Sequence, residues 1–165
     1  MTGSENGFML RSIGVIHTPH PTREGAPIQP TGARGVRGQV VIDPDLRDGL
    51  DDLDGFSHIV LIYRLHLSRG YDLRVKPFLD TVKRGLFATR APRRPNPIGI
   101  SVVRLISIEN NVLVVEDVDM VDGTPLLDIK PYMPDFDIPE GKTSTGWYER
   151  SQGDPQRMKA DGRFL

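Results

Sequence analysis

Gly85-Leu-Phe-Ala-Thr-Arg-Ala-Pro-Arg-Arg-Pro-Asn-Pro-Ile-Gly-Ile-Ser101 is the stretch from which the rest of the chain is read. Leu86 to Thr89 and Ile98 onward read as strands, and the loop between them carries Arg90, Arg93 and Arg94. Pro92, Pro95 and Pro97 each hold their own φ at about −65°. The residue before each proline is driven toward extended backbone, so Ala91, Arg94 and Asn96 are restricted as well. A loop stiffened in this way loses little entropy when it binds. Its guanidiniums are suited to phosphate or carboxylate, which they grip through paired N–H donors. The same stiffness also serves a purely structural turn with solvated arginines, and residue chemistry leaves both readings open.

Outward from this loop the chain reads as short strands. Ile98 to Ile108 is followed by a hairpin turn at Glu109-Asn110-Asn111, because asparagine tolerates left-handed backbone. Val112 to Val118 returns, Asp122-Gly123 turns, and Leu126 to Ile129 forms a short last strand closed by Pro131. On the other side, His58 to Leu67 is the most apolar strand, with Ile59, Val60, Leu61, Ile62 and Leu65. Such a run predicts burial on both faces, one toward the core and one toward a partner subunit. Residues 8–17 and 37–42 read as two further strands, separated by a proline-broken loop over 18–32. Asp43 as N-cap, Pro44 at the first position and Leu46, Leu50 and Leu53 at i, i+4, i+7 predict a short amphipathic helix over 44–53. Single helical turns are expected over 78–82 and near 155–160. The fold class is therefore mainly β: a single small barrel of about seven strands with one or two short helices. The expected organisation is a disordered N-terminus over 1–7, a barrel domain over 8–134, and a polar tail over 135–165 within the same domain.

Composition limits the partners. The 165 residues are 38% hydrophobic and 26% charged, enough for one globular domain. The chain has no cysteine, which excludes disulfides and thiolate metal sites and suits a reducing compartment. His17 with His20, and His58 with His66, lack cysteine partners and ligand spacing, so no metal is expected. No apolar run reaches the roughly 18 residues of a membrane span, and Met1 to Gly7 has no signal-peptide core. The net charge is −1, so RNA contact must come from a local patch such as Lys83, Arg84, Arg90, Arg93 and Arg94. Gly32, Gly35 and Gly38 suit a bend in the sheet better than a phosphate cradle, and spacing alone reveals no nucleotide cofactor.

Gly85 to Arg90, followed after three residues by Arg94-Pro-Asn-Pro-Ile-Gly99, resembles the signature of the TsaA-like (TrmO, VirR) family. Ile13-Gly-Val-Ile-His-Thr-Pro19, Gly55-Phe-Ser-His58 and Asp119-Met-Val-Asp-Gly-Thr-Pro-Leu-Leu-Asp-Ile-Lys-Pro-Tyr132 fit the same family. Together they cover most of residues 9–134, and long matches in order are far more specific than one short motif. The resemblance implies a cytoplasmic S-adenosylmethionine-dependent tRNA methyltransferase, dimeric, built on a small β-barrel rather than a Rossmann-like sheet. It implies N6-methylation of threonylcarbamoyladenosine beside the anticodon. It also implies cofactor contacts at Pro27, Ile28, Gln29, Leu65, His66, Arg90, Ile100, Met120, Val121, Asp122 and Gly123. Many relatives carry a basic residue where this chain has Ile28, so contact there is expected through main chain or apolar surface. The longer C-terminal region of some bacterial relatives is not matched, which leaves the mode of tRNA docking open.

The chemistry so implied is methyl transfer from a sulfonium, already a strong electrophile, to a nitrogen. The protein has mainly to align the reacting groups. The acceptor nitrogen carries a carbonyl substituent and is a poor nucleophile, so a carboxylate base would help. Asp122 is the first candidate and Asp128 the second, although Asp122 beside Gly123 also suits an Asx turn. Arg90 would grip the cofactor carboxylate or position the loop. Arg93, Arg94 and Asn96 would meet an RNA phosphate or the threonyl carboxylate. Lys130 and Tyr132, at period two from Asp128, either line the substrate mouth or form a solvated face. The competing reading is a non-catalytic β-barrel that holds RNA or a small ligand, since no catalytic dyad is recognisable.

Overall fold

The structure is a computed structural model that describes residues 7, 9–151 and 154–164. The disordered terminus expected at 1–7, except Gly7, and the Phe8 position of the first strand lie outside the described residues.

Six strands close into an antiparallel barrel: β1 (Gly14–His17), β2 (Arg37–Ile42), β3 (His58–Arg64), β6 (Ile98–Glu109), β7 (Val112–Glu116) and β8 (Thr124–Pro131). Their order around the wall is β1-β2-β7-β6-β3-β8, with β8 returning to β1. The remaining strands, β4 (Arg74–Val75) and β5 (Arg84–Gly85), form a separate two-stranded ribbon. The mainly β barrel expected from the sequence is what forms, with six strands in the wall rather than about seven. Side chains alternate along each strand, and the inward set makes the core. Ile16, Val40, Ile59, Leu61, Val103, Leu113, Val115 and Leu126 are fully enclosed there.

Several elements depart from the sequence reading. The helix expected over 44–53 is two 3-10 segments, Pro44–Leu50 and Leu53–Gly55. Asp52 between them takes φ 65°, which an α-helix does not admit, and the Asp43 side chain caps nothing. Leu50 and Leu53 still pack on the core, while Leu46 stays exposed. Leu86 to Thr89 is not a strand but a 3-10 turn over Leu86–Ala88. Leu86 is only 1% exposed because it plugs a second small core with Val75, Ala91 and Phe164. Residues 78–82 form an Asx turn in place of a helical turn, the Asp80 carboxylate accepting from the N–H groups of Thr81 and Val82 at 2.7 and 3.0 Å. A turn over 155–157 replaces the helical turn expected near 155–160, and the first strand is shorter than the expected 8–17. The hairpin turn lies where expected, with Asn110 at φ 54°. In β3, Ile59, Leu61 and Tyr63 face the barrel, and Val60 is 8% exposed within the single chain.

Pairing with β2 leaves no room at Gly14, which lies between Ile42 on β2 and Leu126 on β8. A Cβ there would strike the Val41 carbonyl oxygen, a backbone atom that cannot turn aside. Gly14→Ala is expected to lower stability by about 2 kcal/mol or more, as overpacking does. Gly85→Ala meets open space and should stay within about 0.5 kcal/mol of the parent. Urea denaturation of the two variants checks the contrast.

Candidate active-site cleft

At the end of the barrel where β3 finishes and β6 begins lies a cleft of about 960 Å³. Tyr63 reaches it from β3, Leu65 and His66 from the segment just after β3, and Gly99 and Ile100 from β6. Asp119, Met120 and Val121 come from the segment before β8. The proline-stiffened loop supplies Arg90 and Arg94, and the 23–30 loop supplies Pro27, Ile28 and Gln29. The last wall, unexpected from the polar look of the tail, is Trp147, Tyr148 and Phe164.

One hydrogen-bonded chain runs into the cleft. Tyr63 stands opposite Gly99 in the β3–β6 register, and its ring occupies the space a Cβ would take. This seating brings the Tyr63 hydroxyl to 2.9 Å from Ser101 Oγ. Ser101 Oγ in turn donates to Asp119 Oδ1 at 2.7 Å. The serine has one proton, so the tyrosine is the donor in the first bond. Burial raises the Asp119 carboxyl to a pKa of about 6, against the pull of the Ser101 hydroxyl, the Asp119 backbone N–H and the Arg90 charge. Burial, reinforced by the Asp119 charge, raises Tyr63 above its ordinary value, so it remains a protonated donor. His66 is lowered, first by burial and then by the charges of Arg64 and Arg23, and is neutral at pH 7.

The three arginines separate. Arg90 lies exposed on the cleft. Arg94 turns back on its own loop: Nη1 donates to the carbonyls of Thr89 and Ala91 at 2.9 and 3.2 Å, and the guanidinium lies 5.8 Å from the Phe87 ring. Arg93 faces away, 3.5 Å from Asp72, and with Asn96 it stands off the cleft.

The two carboxylates put forward as base also stand off the cleft wall. Asp122 accepts from the Thr18 N–H at 3.0 Å and from His17 Nδ1 at 3.2 Å, tying the end of β1 to the start of β8. The Thr18 N–H is the chief cause of its lowered pKa, which suits a fixed anion better than a base. Gly123, at φ 74°, completes that turn with its N–H on the Ile16 carbonyl, so it shapes the turn rather than the cleft. Asp128 pairs with Lys130 at 2.8 Å, level with Ile62 on the barrel wall. Tyr132 lies edge-on to His58 at 6.3 Å, toward the far end of β3. Asp119, which the sequence reading did not put forward as a base, does line the cleft. Its signal in the sequence was a carboxylate set between Val118 and Met120, two side chains the fold buries. Among the described residues, no three His, Asp or Glu side chains gather to hold a metal ion.

Residues 15–138 match the tRNA-methyltransferase O N-terminal domain. A "Probable S-adenosyl-L-methionine-binding protein" of Pyrococcus abyssi is 48% identical over 155 residues, 94% of this chain and 84% of that protein. The tRNA (adenine(37)-N6)-methyltransferase of Escherichia coli is 34% identical over 139 residues, 78% of this chain but 59% of that enzyme. Among solved structures, TrmO from Pseudomonas aeruginosa superposes with a TM-score of 0.72 at 34% identity, covering 85% of this chain and 62% of that one. The chain thus spans less than two thirds of the length of these last two.

The seating of Tyr63 on Gly99 is directly testable. Gly99→Ala should displace the ring, break the hydroxyl chain to Asp119 and cost about 1–3 kcal/mol. Tyr63→Phe keeps the ring and should cost about 1 kcal/mol. Urea denaturation reads both costs, and a neutral Gly99→Ala would show that the ring does not rest there.

Proposed function

The chain belongs to the tRNA-methyltransferase O N-terminal domain family, and on that premise we propose that it is an S-adenosylmethionine-dependent tRNA methyltransferase. Its acceptor is the N6 nitrogen of threonylcarbamoyladenosine beside the anticodon, and its place of work is the cytoplasm. The observation that carries this reading is a cleft whose lining includes an exposed guanidinium, Arg90, a half-buried carboxylate, Asp119, and apolar side chains.

These residues fit the cofactor's chemistry. S-adenosylmethionine carries a carboxylate, two cationic centres and an adenine. Arg90 suits the carboxylate, Asp119 sets a negative potential for the cations, and Leu65, Ile100 and Met120 offer apolar surface to the base. Pro27, Ile28, Gln29, Val121 and His66 line the same cleft, with His66 uncharged at neutral pH. When bound, the cofactor supplies an electrophilic methyl group on a cationic sulfur.

The chain's own residues would do the rest. Ser101 occupies Oδ1 of Asp119, so Oδ2 is the oxygen left to receive the acceptor N–H proton. A carboxyl with a pKa of about 6 is mostly ionised at neutral pH yet basic enough to share a proton. Tyr63 and Ser101 hold that carboxylate in one orientation, which matters more here than added reactivity. Asp119 therefore takes the role first assigned to Asp122 or Asp128.

The family resemblance to dimers finds a candidate surface on β6. Ile98, Ile100 and Val102 alternate on its outer face and are exposed, and β3 sets Ile62 opposite Ile100. A second copy would cover this stripe, and light scattering should then give about twice the 18.4 kDa chain mass. A monomer that methylates normally would refute the shared surface. No helix among the described residues is long and apolar enough to cross a membrane.

Calorimetry with S-adenosylmethionine and methyl transfer to tRNA test the main reading. No binding heat would sink it, and binding without transfer would favour a ligand-holding module. As the base, Asp119 acts ionised, so kcat/KM should fall as pH drops through about 6. Asp119→Asn should remove that limb and lower kcat by about 10²–10⁴-fold, with S-adenosylmethionine affinity reduced no more than about tenfold. Stability should move the other way. A carboxyl raised from 3.8 to about 6 in the folded state makes the protein less stable as pH rises between those values. Asp119→Asn should therefore be at least as stable as the parent at pH 8, by urea denaturation.

A further inference from the structure

The cleft is lined by more residues than those assigned to the cofactor. Its volume, about 960 Å³, is at the upper end for a pocket that holds one ligand of drug size. The residues that the family resemblance assigns to the cofactor line only part of it. The rest of the lining includes Phe87, Ala88, Thr145, Trp147 and Tyr148, from the loop of arginines and the C-terminal tail.

This part of the lining is aromatic and held in place. The 3-10 turn that buries Leu86 turns Phe87 outward, leaving it 75% exposed inside a cleft. Trp147 is pinned from two sides: its indole N–H donates to the Ala88 carbonyl at 2.7 Å, and the Arg84 guanidinium lies 5.7 Å from its ring. Arg84 is itself fixed by Asp80 at 2.7 Å. Tyr148 stands edge-on to Trp147 at 6.2 Å and is exposed. The tail carrying these rings is anchored further along. Ala160 exchanges backbone hydrogen bonds with Gly25 and Ala26 at 2.8 Å, and Phe164 packs edge-on against Phe78 at 5.1 Å. The Arg94 guanidinium lies against Phe87. Rigid rings exposed in a cleft, with a guanidinium beside them, are what an unpaired nucleobase stacks upon. Water is poor company for such a surface, yet Phe87 and Tyr148 are exposed and Trp147 is half-buried.

We propose that Phe87, Trp147 and Tyr148 form a base-stacking subsite for the acceptor nucleotide of the RNA, distinct from the residues assigned to the cofactor. The proposal rests on the methyltransferase reading for the identity of its ligand, an unpaired purine in an RNA loop. The C-terminal tail is then part of the RNA site and not an appendage to the barrel.

The chain has one tryptophan, so its emission reports on this subsite alone. The probe is a synthetic anticodon stem-loop oligoribonucleotide with an adenosine 3′ to the anticodon, titrated into the full chain with and without S-adenosylmethionine. Stacking should quench the Trp147 emission when RNA is added, while S-adenosylmethionine alone should leave it nearly unchanged. Phe87→Leu keeps apolar bulk but removes the ring. It should raise KM for tRNA about tenfold, the scale of one lost base stack, and keep S-adenosylmethionine affinity by calorimetry within about twofold. Tyr148→Leu should act in the same direction. Quenching by S-adenosylmethionine and not by RNA would hand the aromatic residues to the cofactor and overturn the proposal. So would an unchanged KM in both variants. Absence of S-adenosylmethionine binding in the parent would instead overturn the methyltransferase reading, and quenching by RNA would then still support the aromatic subsite.

Discussion

Closure of the barrel between β1 and β8 is the constraint on which the rest depends. Only three residue pairs make that seam, Gly14 with Leu126, Val15 with Pro125 and Ile16 with Thr124. Without it the sheet would keep two open edges and its inward face would lose one wall. The seam explains why Asp122 reaches across to Thr18 and His17, while the close approach of β2 on the other side of β1 explains the glycine at position 14. Those bonds set where the chain enters β8, and so where Asp119, Met120 and Val121 meet the cleft. A residue in a family motif can thus serve the reaction by shaping the turn beside it.

Around the barrel end, the cleft is assembled from segments far apart in the chain. The 23–30 loop, the stiff loop of prolines and the tail meet there, and each is tied to another by backbone bonds or a buried ring. Leu86 and Phe164 share one small core, which couples the loop of arginines to the tail. This arrangement gives a rigid rim without long helices. It also uses Arg94 internally: its bonds to Thr89 and Ala91 close the loop that Pro92 and Pro95 stiffen. Arg90, which has no such bonds to the loop among those resolved, is the guanidinium the loop presents.

The electrostatics follow from burial. Asp119 and Asp122 are three residues apart in one motif, yet their carboxyls move in opposite directions. Asp122 is exposed and accepts a backbone N–H, which favours its anion. Asp119 is withdrawn from water with a single side-chain donor, which favours its acid form. In a pair separated in this way, the Asp122 carboxylate holds the turn, and the Asp119 carboxyl fits the base role we propose.

The mainly β barrel was legible in the sequence, because short apolar, β-branched runs such as Ile59 to Ile62 and Val112 to Val115, bounded by turn residues, favour strands locally. So were the turns at Asn110 and Gly123, whose left-handed backbone restricts residue choice. Leu86–Ala88 and 44–53 were misread, since whether an apolar run extends or coils depended on which distant core its side chains reached. The choice among Asp119, Asp122 and Asp128 was likewise beyond the sequence. The three have the same chemistry, and only the depth at which each is buried, with the donor that meets it, tells them apart. The aromatic wall of the cleft was decided last of all: Trp147 and Phe87 are sixty residues apart, and only the folding of the tail across the barrel end brings their surfaces to one site.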